Sequence, residues 1–336
     1  MEVLPMNGAL PLKIAGIGRY LPKRVVPSSE LEQRLGLPDG WIFKKQGVRE
    51  RRWVTDETAS YMGAQAALAA LDDAAMQLSD VDLIINASGS QEQAIPDGGP
   101  LIQRHLGLGS SGVACMSIHA TCLSFVVALD TAASLLATGR YHRILVISSE
   151  ISSVALNFSH VESSTLFGDG AAAVVLMRTP DGEPSALLAA RLETYGEGAY
   201  FTQVAGGGTR RHPNRPDTRP EDNLFHMDGP SVFSLAVKHA AAFLERLRPG
   251  LSTGLGDIKL AVPHQASKLA LEAHRFYGFK RTQVVRTIDY LGNCIAASIP
   301  LTLHEAIKDN RLQRGDKFLL LGTGAGLSIG GAILVY

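Results

Sequence analysis

Residues 112–150, GVACMSIHATCLSFVVALDTAASLLATGRYHRILVISSE, decide the fold. GVACMSI at 112–118 is short and β-like, and HRILVISSE at 142–150 is an apolar strand. Between them, the stretch from Cys122 is apolar almost all round: Leu123, Phe125, Val126, Val127, Leu129, Leu135 and Leu136. Such a pattern predicts a helix buried on every side. The same order returns later as QVVRTID at 283–289, IAASIPLTLHEAIKDN from Ile295 and DKFLLLGTG at 316–324. Working outward, the helical ASYMGAQAALAALDDAAM at 59–76 leads into VDLIINASGS at 81–90. In the same way SVFSLAVKHAAAFLERL from Ser231 leads into IKLAVPHQAS at 258–267. A last strand closes each half, GAAAVVLM at 170–177 and GGAILVY at 330–336. Successive matches lie roughly 160 to 180 residues apart, the size of one ordinary domain. A series of this kind indicates a duplicated α/β unit with halves at 1–180 and 181–336. The alternation predicts mixed sheets covered by helices, with two apolar helices held between two sheets, as helix, sheet, helix, sheet, helix. Residues 206–223, GGGTRRHPNRPDTRPEDN, are polar and turn-rich and read as an exposed loop.

Composition narrows the function. The 336 residues carry 32 Lys+Arg against 32 Asp+Glu, so no basic excess favours a nucleic-acid partner. No apolar run reaches the ~18 residues of a membrane span. MEVLPMNGALPLK at the amino terminus has no basic segment followed by an apolar run, so no signal peptide is expected. Three cysteines make no disulfide framework and suit the cytoplasm.

Chemistry is expected at the strand ends. Cys122 stands where a β-run stops and the buried helix begins, so unpaired N–H groups and the helix dipole favour its thiolate. Cys115 lies inside the preceding strand and reads as structural. Cys294 occupies the position matching Cys122 in the second half. A nucleophile needs a proton-handling partner and donors for an oxyanion. His264 ends the strand KLAVP, in the position matching Ser88, and His119 is a local rival. Asn293 follows Gly292 at the start of the second buried helix. The ordinary readings are a small buried thiol for Cys122, a hydrogen-bonded structural histidine for His264 and an N-cap for Asn293. GTGAGLSIGG at 322–331 joins strand to strand, whereas a dinucleotide loop opens a helix. It reads instead as a tight turn that brings N–H groups near a substrate oxygen. No Walker loop, HExxH or CxxC occurs, so no metal is expected. Lys44, Lys45, Arg49, Arg51 and Arg52 form a basic cluster, either a solvated loop or a site for phosphates or an acidic protein.

As a set, GIGRYLPKRVV (16–26), WIFKKQGVRERR (41–52), ATCLSF (120–125), FGDGAAAVVL (167–176), VPHQAS (262–267) and GNCIAASIP (292–300) span nearly the whole chain. The sequence resembles the β-ketoacyl-acyl-carrier-protein synthase III branch of the thiolase-like condensing enzymes. The resemblance implies a duplicated thiolase-like five-layer αβαβα sandwich with mixed sheets. It implies that Cys122 takes an acyl group from an acyl thioester. His264 and Asn293 would then stabilise the enolate formed as a malonyl-type thioester loses carbon dioxide, and attack on acyl-Cys122 would give a β-ketoacyl product. The backbone N–H groups of Cys122 and Ala325 would hold the oxyanion. Trp41 matches the residue that stacks on the coenzyme A adenine, Lys45 matches a basic residue near the nucleotide, and Ser267 stands where typical members carry asparagine. The implied partners are acyl-coenzyme A, malonyl-coenzyme A or malonyl-acyl carrier protein, and a second copy in a homodimer, with no cofactor and no metal.

The chain departs from the family pattern at Ser267, at Leu291 before Gly292, at Thr323 and at Ala325, which points to a specialised synthase of secondary metabolism or longer acyl chains. The alternatives are head-to-head joining of two acyl thioesters, acyl transfer to a hydroxyl or amine, and a non-catalytic partner subunit. The head-to-head branch carries a glutamate directly before a proline in the loop after the first-half strand. Here Ile95 precedes Pro96, and the nearest carboxylate is Glu92.

Overall fold

The structure, a computed structural model, describes residues 8–336. Residues 1–7, part of the stretch read above for a signal peptide, lie outside the described residues. The first half runs through β1 (Lys13–Tyr20), the small pair β2 (Arg24–Pro27) and β3 (Glu50–Trp53), β4 (Leu83–Asn86), β5 (Ala114–Ser117), β6 (Arg143–Glu150) and β7 (Gly170–Met177). The second runs through β8 (Ala186–Thr194), the short pair β9 (Thr202–Gln203) and β10 (His226–Met227), β11 (Leu260–Pro263), β12 (Lys317–Gly324) and β13 (Ser328–Val335). The main sheets are ordered β1-β7-β6-β4-β5 and β11-β12-β13-β8. Both are mixed. β4 runs parallel to β5 and β6, while β7 is antiparallel to β6 and β1. In the second sheet β11 is parallel to β12, and β13 is antiparallel to β12 and β8.

Period-two alternation assigns each strand residue a face. On β6, Ile144 and Val146 point into a central core, whereas Leu145 and Ile147 point outward. On β12, Phe318 and Leu320 join that same central core, and Leu319 points to the far side. The inner helices Ser124–Ala137 and Ser298–Lys308 fill the space between the sheets with Phe125, Leu129, Leu136, Ile299 and Leu303. Burial of each such side chain contributes roughly 2 kcal/mol. Helix Ala59–Asp73 covers the outer face of the first sheet, and helix Gly229–Leu247 that of the second. Five layers result, as expected. The alanines of Ala59–Asp73 let it approach β1 so closely that a Cβ on Gly18 would lie 2.3 Å from the Ala70 nitrogen.

Two expectations need correction. QVVRTID at 283–289 is not a strand: it touches β11 through one bridge, Ala261 to Val284. A side chain replaces the missing ladder. Gln265, fully buried, donates to the Pro263 and Val285 carbonyls and accepts from the Thr287 and Ile288 N–H groups. The first inner helix is also not buried all round, since Val127, Asp130 and Thr131 are partly exposed and Ser134 is exposed. The 206–223 loop is mostly exposed, as its composition suggested.

Candidate active site

Each inner helix is preceded by a sharp turn of the same construction. Thr121 (φ 50°) and Ile295 (φ 46°) adopt left-handed backbone, which is costly for β-branched residues. Three residues later a serine begins each helix. Ser124 Oγ accepts from the Ala120 N–H at 3.0 Å, and Ser298 Oγ accepts from the Cys294 N–H at 2.9 Å. This frame corrects the matching of the repeats. Ala296, not Cys294, is the counterpart of Cys122, and Cys294 corresponds to Ala120. Cys294 is buried with its sulfur 3.5 Å from the Leu291 carbonyl. The frame also pairs Asn293 with His119, which is exposed and lies 3.1 Å from the Gly89 carbonyl through Nε2. By strand register His264 corresponds to Ala87 rather than Ser88, because each N–H bonds the neighbouring strand in the same way (Leu321 and Ile147 carbonyls).

The turns and the strand ends converge. Ala325, beyond β12, lies against the Cys122 turn: Thr121 Oγ1 donates to its carbonyl at 3.5 Å, and its backbone N–H favours the Cys122 anion. Gly324 lies so close that a Cβ there would be 2.7 Å from Thr121 Oγ1. Gly322 is wedged between His264 and Leu123, with room for no side chain: its Cβ would be 2.8 Å from that of His264. Asn293 Nδ2 donates to the Ala266 carbonyl at 3.3 Å, and its Oδ1 accepts from the Ile295 N–H at 2.9 Å. Gly89 separates the two turns, a Cβ there falling 2.6 Å from Ile295 Cγ2 and 3.0 Å from the Thr121 carbonyl. Cys122, His264 and Asn293 thus belong to segments in mutual contact.

Burial sets the protonation. Desolvation pushes the Cys122 thiol up to about 12, and the Glu150 charge adds to this. The N–H groups of Cys122 and Ala325 act against the shift, in the direction expected at the start of a helix. Desolvation lowers His264 to about 4, which keeps its imidazole neutral at physiological pH. Its Nδ1 is buried without a partner among the described residues.

Trp41 opens the short helix Trp41–Gln46 and is partly buried, with Lys45 exposed on the same helix. Ser267 caps the helix Lys268–Glu272, accepting from the Ala270 N–H at 3.1 Å. Lys268 Nζ donates to the Lys44 carbonyl at 3.0 Å, so the two helices adjoin. Arg51 leaves the basic cluster. It is fully buried and donates to the Thr165 carbonyl at 2.9 Å and to Ser28 Oγ at 3.2 Å. Glu150, which the sequence reading passed over, is fully buried at the end of β6. A carboxylate closing the apolar run RILVISSE was the available signal. Among the described residues no group of three or more His, Cys, Asp or Glu could hold a metal ion, and no helix is long and apolar enough to cross a membrane.

Family models for 3-oxoacyl-[acyl-carrier-protein] synthase III match residues 116–196, and its C-terminal part matches 251–336. The beta-ketoacyl-[acyl-carrier-protein] synthase III of Aquifex aeolicus is 34% identical over 325 residues, which covers 96% of this chain and 99% of that protein. The crystal structure of the Aquifex aeolicus enzyme has a TM-score of 0.85 at 32% identity and covers 98% of this chain and 100% of that one. OleA from Xanthomonas campestris shares the fold, with a TM-score of 0.85 at 22% identity over 97% of this chain and 98% of its own. With the five-layer architecture and the match along nearly its whole length, the chain belongs to the 3-oxoacyl-[acyl-carrier-protein] synthase III family.

Proposed function

We propose that Cys122, His264 and Asn293 divide a two-stage reaction between them. The enzyme is a condensing acyltransferase that joins an acyl thioester to a malonyl-type thioester with loss of carbon dioxide. In the first stage Cys122 attacks the acyl thioester. The sulfur loses its proton as the C–S bond forms, and the departing thiol carries that proton away. Burial that pushes the thiol up suits this, because deprotonation then accompanies attack rather than preceding it. In the second stage the malonyl carbon–carboxylate bond breaks and its electron pair becomes an enolate. His264 and Asn293 donate hydrogen bonds to that enolate oxygen, each worth about 3 kcal/mol in the transition state. The enolate carbon attacks acyl-Cys122, and the resulting oxyanion rests on the N–H groups of Cys122 and Ala325. Its collapse forms the β-keto product and expels the Cys122 thiolate, which takes a proton from solvent.

The observation that carries this reading is the convergence on the Cys122 turn of Ala325, whose carbonyl accepts from Thr121 Oγ1 at 3.5 Å, and of His264, which packs across Gly322 from Leu123. A neutral His264 with an unpartnered ring nitrogen supports the donor role. For coenzyme A we propose Trp41, Lys45 and Ser267, on adjoining helices. Exposed Phe43 and Leu269, among Lys44, Lys45, Arg49 and Lys268, would receive an acidic carrier protein. We take the halves to divide at 180/181, the protein to be a homodimer, and its location to be the cytoplasm, where a thiol nucleophile stays reduced. Head-to-head condensation finds less support, because Glu92 accepts the Ser60 N–H at 2.7 Å.

The test uses acetyl- and octanoyl-coenzyme A as donors and malonyl-coenzyme A as extender. Cys122→Ala gains no acyl mass. His264→Ala and Asn293→Ala acylate within about threefold of wild type but lose condensation by roughly a hundredfold or more. Equal loss of acylation in all three variants would end the reading.

A further inference from the structure

Glu150 is the one carboxylate fully buried beside the reacting groups among the described residues, and none of the lysines, arginines or histidines described pairs with it. A buried anion without a cation costs several kcal/mol unless N–H groups surround it. Here they do. One oxygen accepts from the Gly89 N–H at 2.5 Å, and the other accepts from the Ser90 N–H at 2.9 Å and Ser90 Oγ at 2.5 Å. The Ala296 N–H is directed at it as well. These donors come from opposite sides of the site. Gly89 and Ser90 follow β4 and touch the Thr121 turn that leads into Cys122. Ala296 follows Ile295, whose own N–H is held by Asn293 Oδ1.

The duplication sharpens the point. Glu150 pairs with Gly170 at the end of β6 as Gly324 pairs with Ser328 at the end of β12. Ala296 likewise corresponds to Cys122. The first half therefore sets a carboxylate before the Ala296 turn, where the second half leaves only glycine before the Cys122 turn. That glycine cannot be exchanged for a larger residue without striking Thr121 Oγ1. One pseudo-equivalent position is open for chemistry and the other is filled by an anchor.

We propose that Glu150 is a positioning residue for condensation: its carboxylate ties the Gly89–Ser90 turn to the Ala296 N–H and so fixes the Asn293 carboxamide relative to the Cys122 sulfur. This rests on the division of labour given above. Asn293 meets the anchor through Ile295 and Ala296 of its own turn, whereas Cys122 meets it only through the packing of Gly89 and Ser88 against the Thr121 turn, so disturbing the anchor weighs on condensation more than on acylation.

The test compares Glu150→Gln, Glu150→Asp and Ser90→Ala in the full chain. Self-acylation by acetyl-coenzyme A, condensation with malonyl-coenzyme A and the melting temperature are read on each. Glu150→Gln turns an NH2 group toward N–H donors, and Glu150→Asp shortens the reach. Both should acylate within about threefold of wild type while the condensation kcat falls about a hundredfold, the cost of an ångström-scale misplacement, at little changed malonyl KM. Ser90→Ala removes one donor and keeps the carboxylate, so it covers the case of an unfolded Glu150 variant, with condensation falling roughly tenfold and acylation unchanged. Acylation and condensation falling by one common factor would overturn the proposal, as would full condensation in Glu150→Gln. Self-acylation by Cys122→Ala would instead overturn the reading beneath it, so the two failures are distinct.

Discussion

His264 shows what burying a histidine costs the fold. A histidine buried as a neutral ring gives up the proton it would bind in the unfolded chain below about pH 6.5. Its folded pKa, lowered to about 4, means that the unfolded state binds more protons as the pH drops. Stability from this group is fully present above about pH 6.5 and is lost as the pH falls toward 4, by roughly 3 kcal/mol in all. His264→Phe should therefore flatten the acid side of the melting curve relative to wild type, and differential scanning calorimetry from pH 7 to pH 4 reads this directly. Equal acid sensitivity in both proteins would assign the titration elsewhere. The same depressed value predicts no inflection from His264 between pH 5.5 and 8 in the decarboxylation rate. Sequence singled out Cys122, His264 and Asn293 because each ends a strand or precedes a buried helix, and the structure brings their segments into contact. Sequence could not rank desolvation against the helix dipole at Cys122, since that balance depends on how tightly other segments close over the sulfur.

Gln265 carries the same lesson at the scale of an element. Most strands and helices were readable because period-two and helical apolar patterns repeat in both halves. The exception, QVVRTID, has the right residues for a strand, yet only Ala261 pairs with it. The reason lies outside the segment, in the buried amide of Gln265, which serves four backbone groups at Pro263, Val285, Thr287 and Ile288. A local pattern carries no trace of a side chain that replaces a ladder from twenty residues away. Gln265→Leu keeps the volume and strands those groups without partners, at a cost of roughly 2–4 kcal/mol. The denaturant midpoint should fall accordingly with an unchanged slope. Condensation should fall too, since the freed segment runs through Leu291 into Asn293. A midpoint within error of wild type would mean that water serves those groups equally well.

For the whole molecule, the first sheet ends on an open edge among the described residues. β5 lies at its edge with all four residues partly exposed. Edge strands with free N–H and C=O groups invite pairing, and natural proteins cover or charge them. β5, with the sequence ACMS, has no charge. The open stripe of Val127, Asp130, Thr131 and Ser134 on the first inner helix adds a second unfinished surface. Among the described residues Asp130 Oδ1 is buried without a partner, and burial raises its carboxyl above the usual range. A second copy related by a twofold axis would supply both needs, because an isologous contact offers each strand edge its own twin. Sedimentation velocity on wild type should give a dimer at micromolar concentration. Met116→Glu, which sets like charges against each other across the axis, should shift it to monomer and lower condensation while each chain stays folded by circular dichroism. A wild-type monomer over the whole concentration range would leave β5 an edge without a purpose, and would require the site to work from the residues of one chain alone.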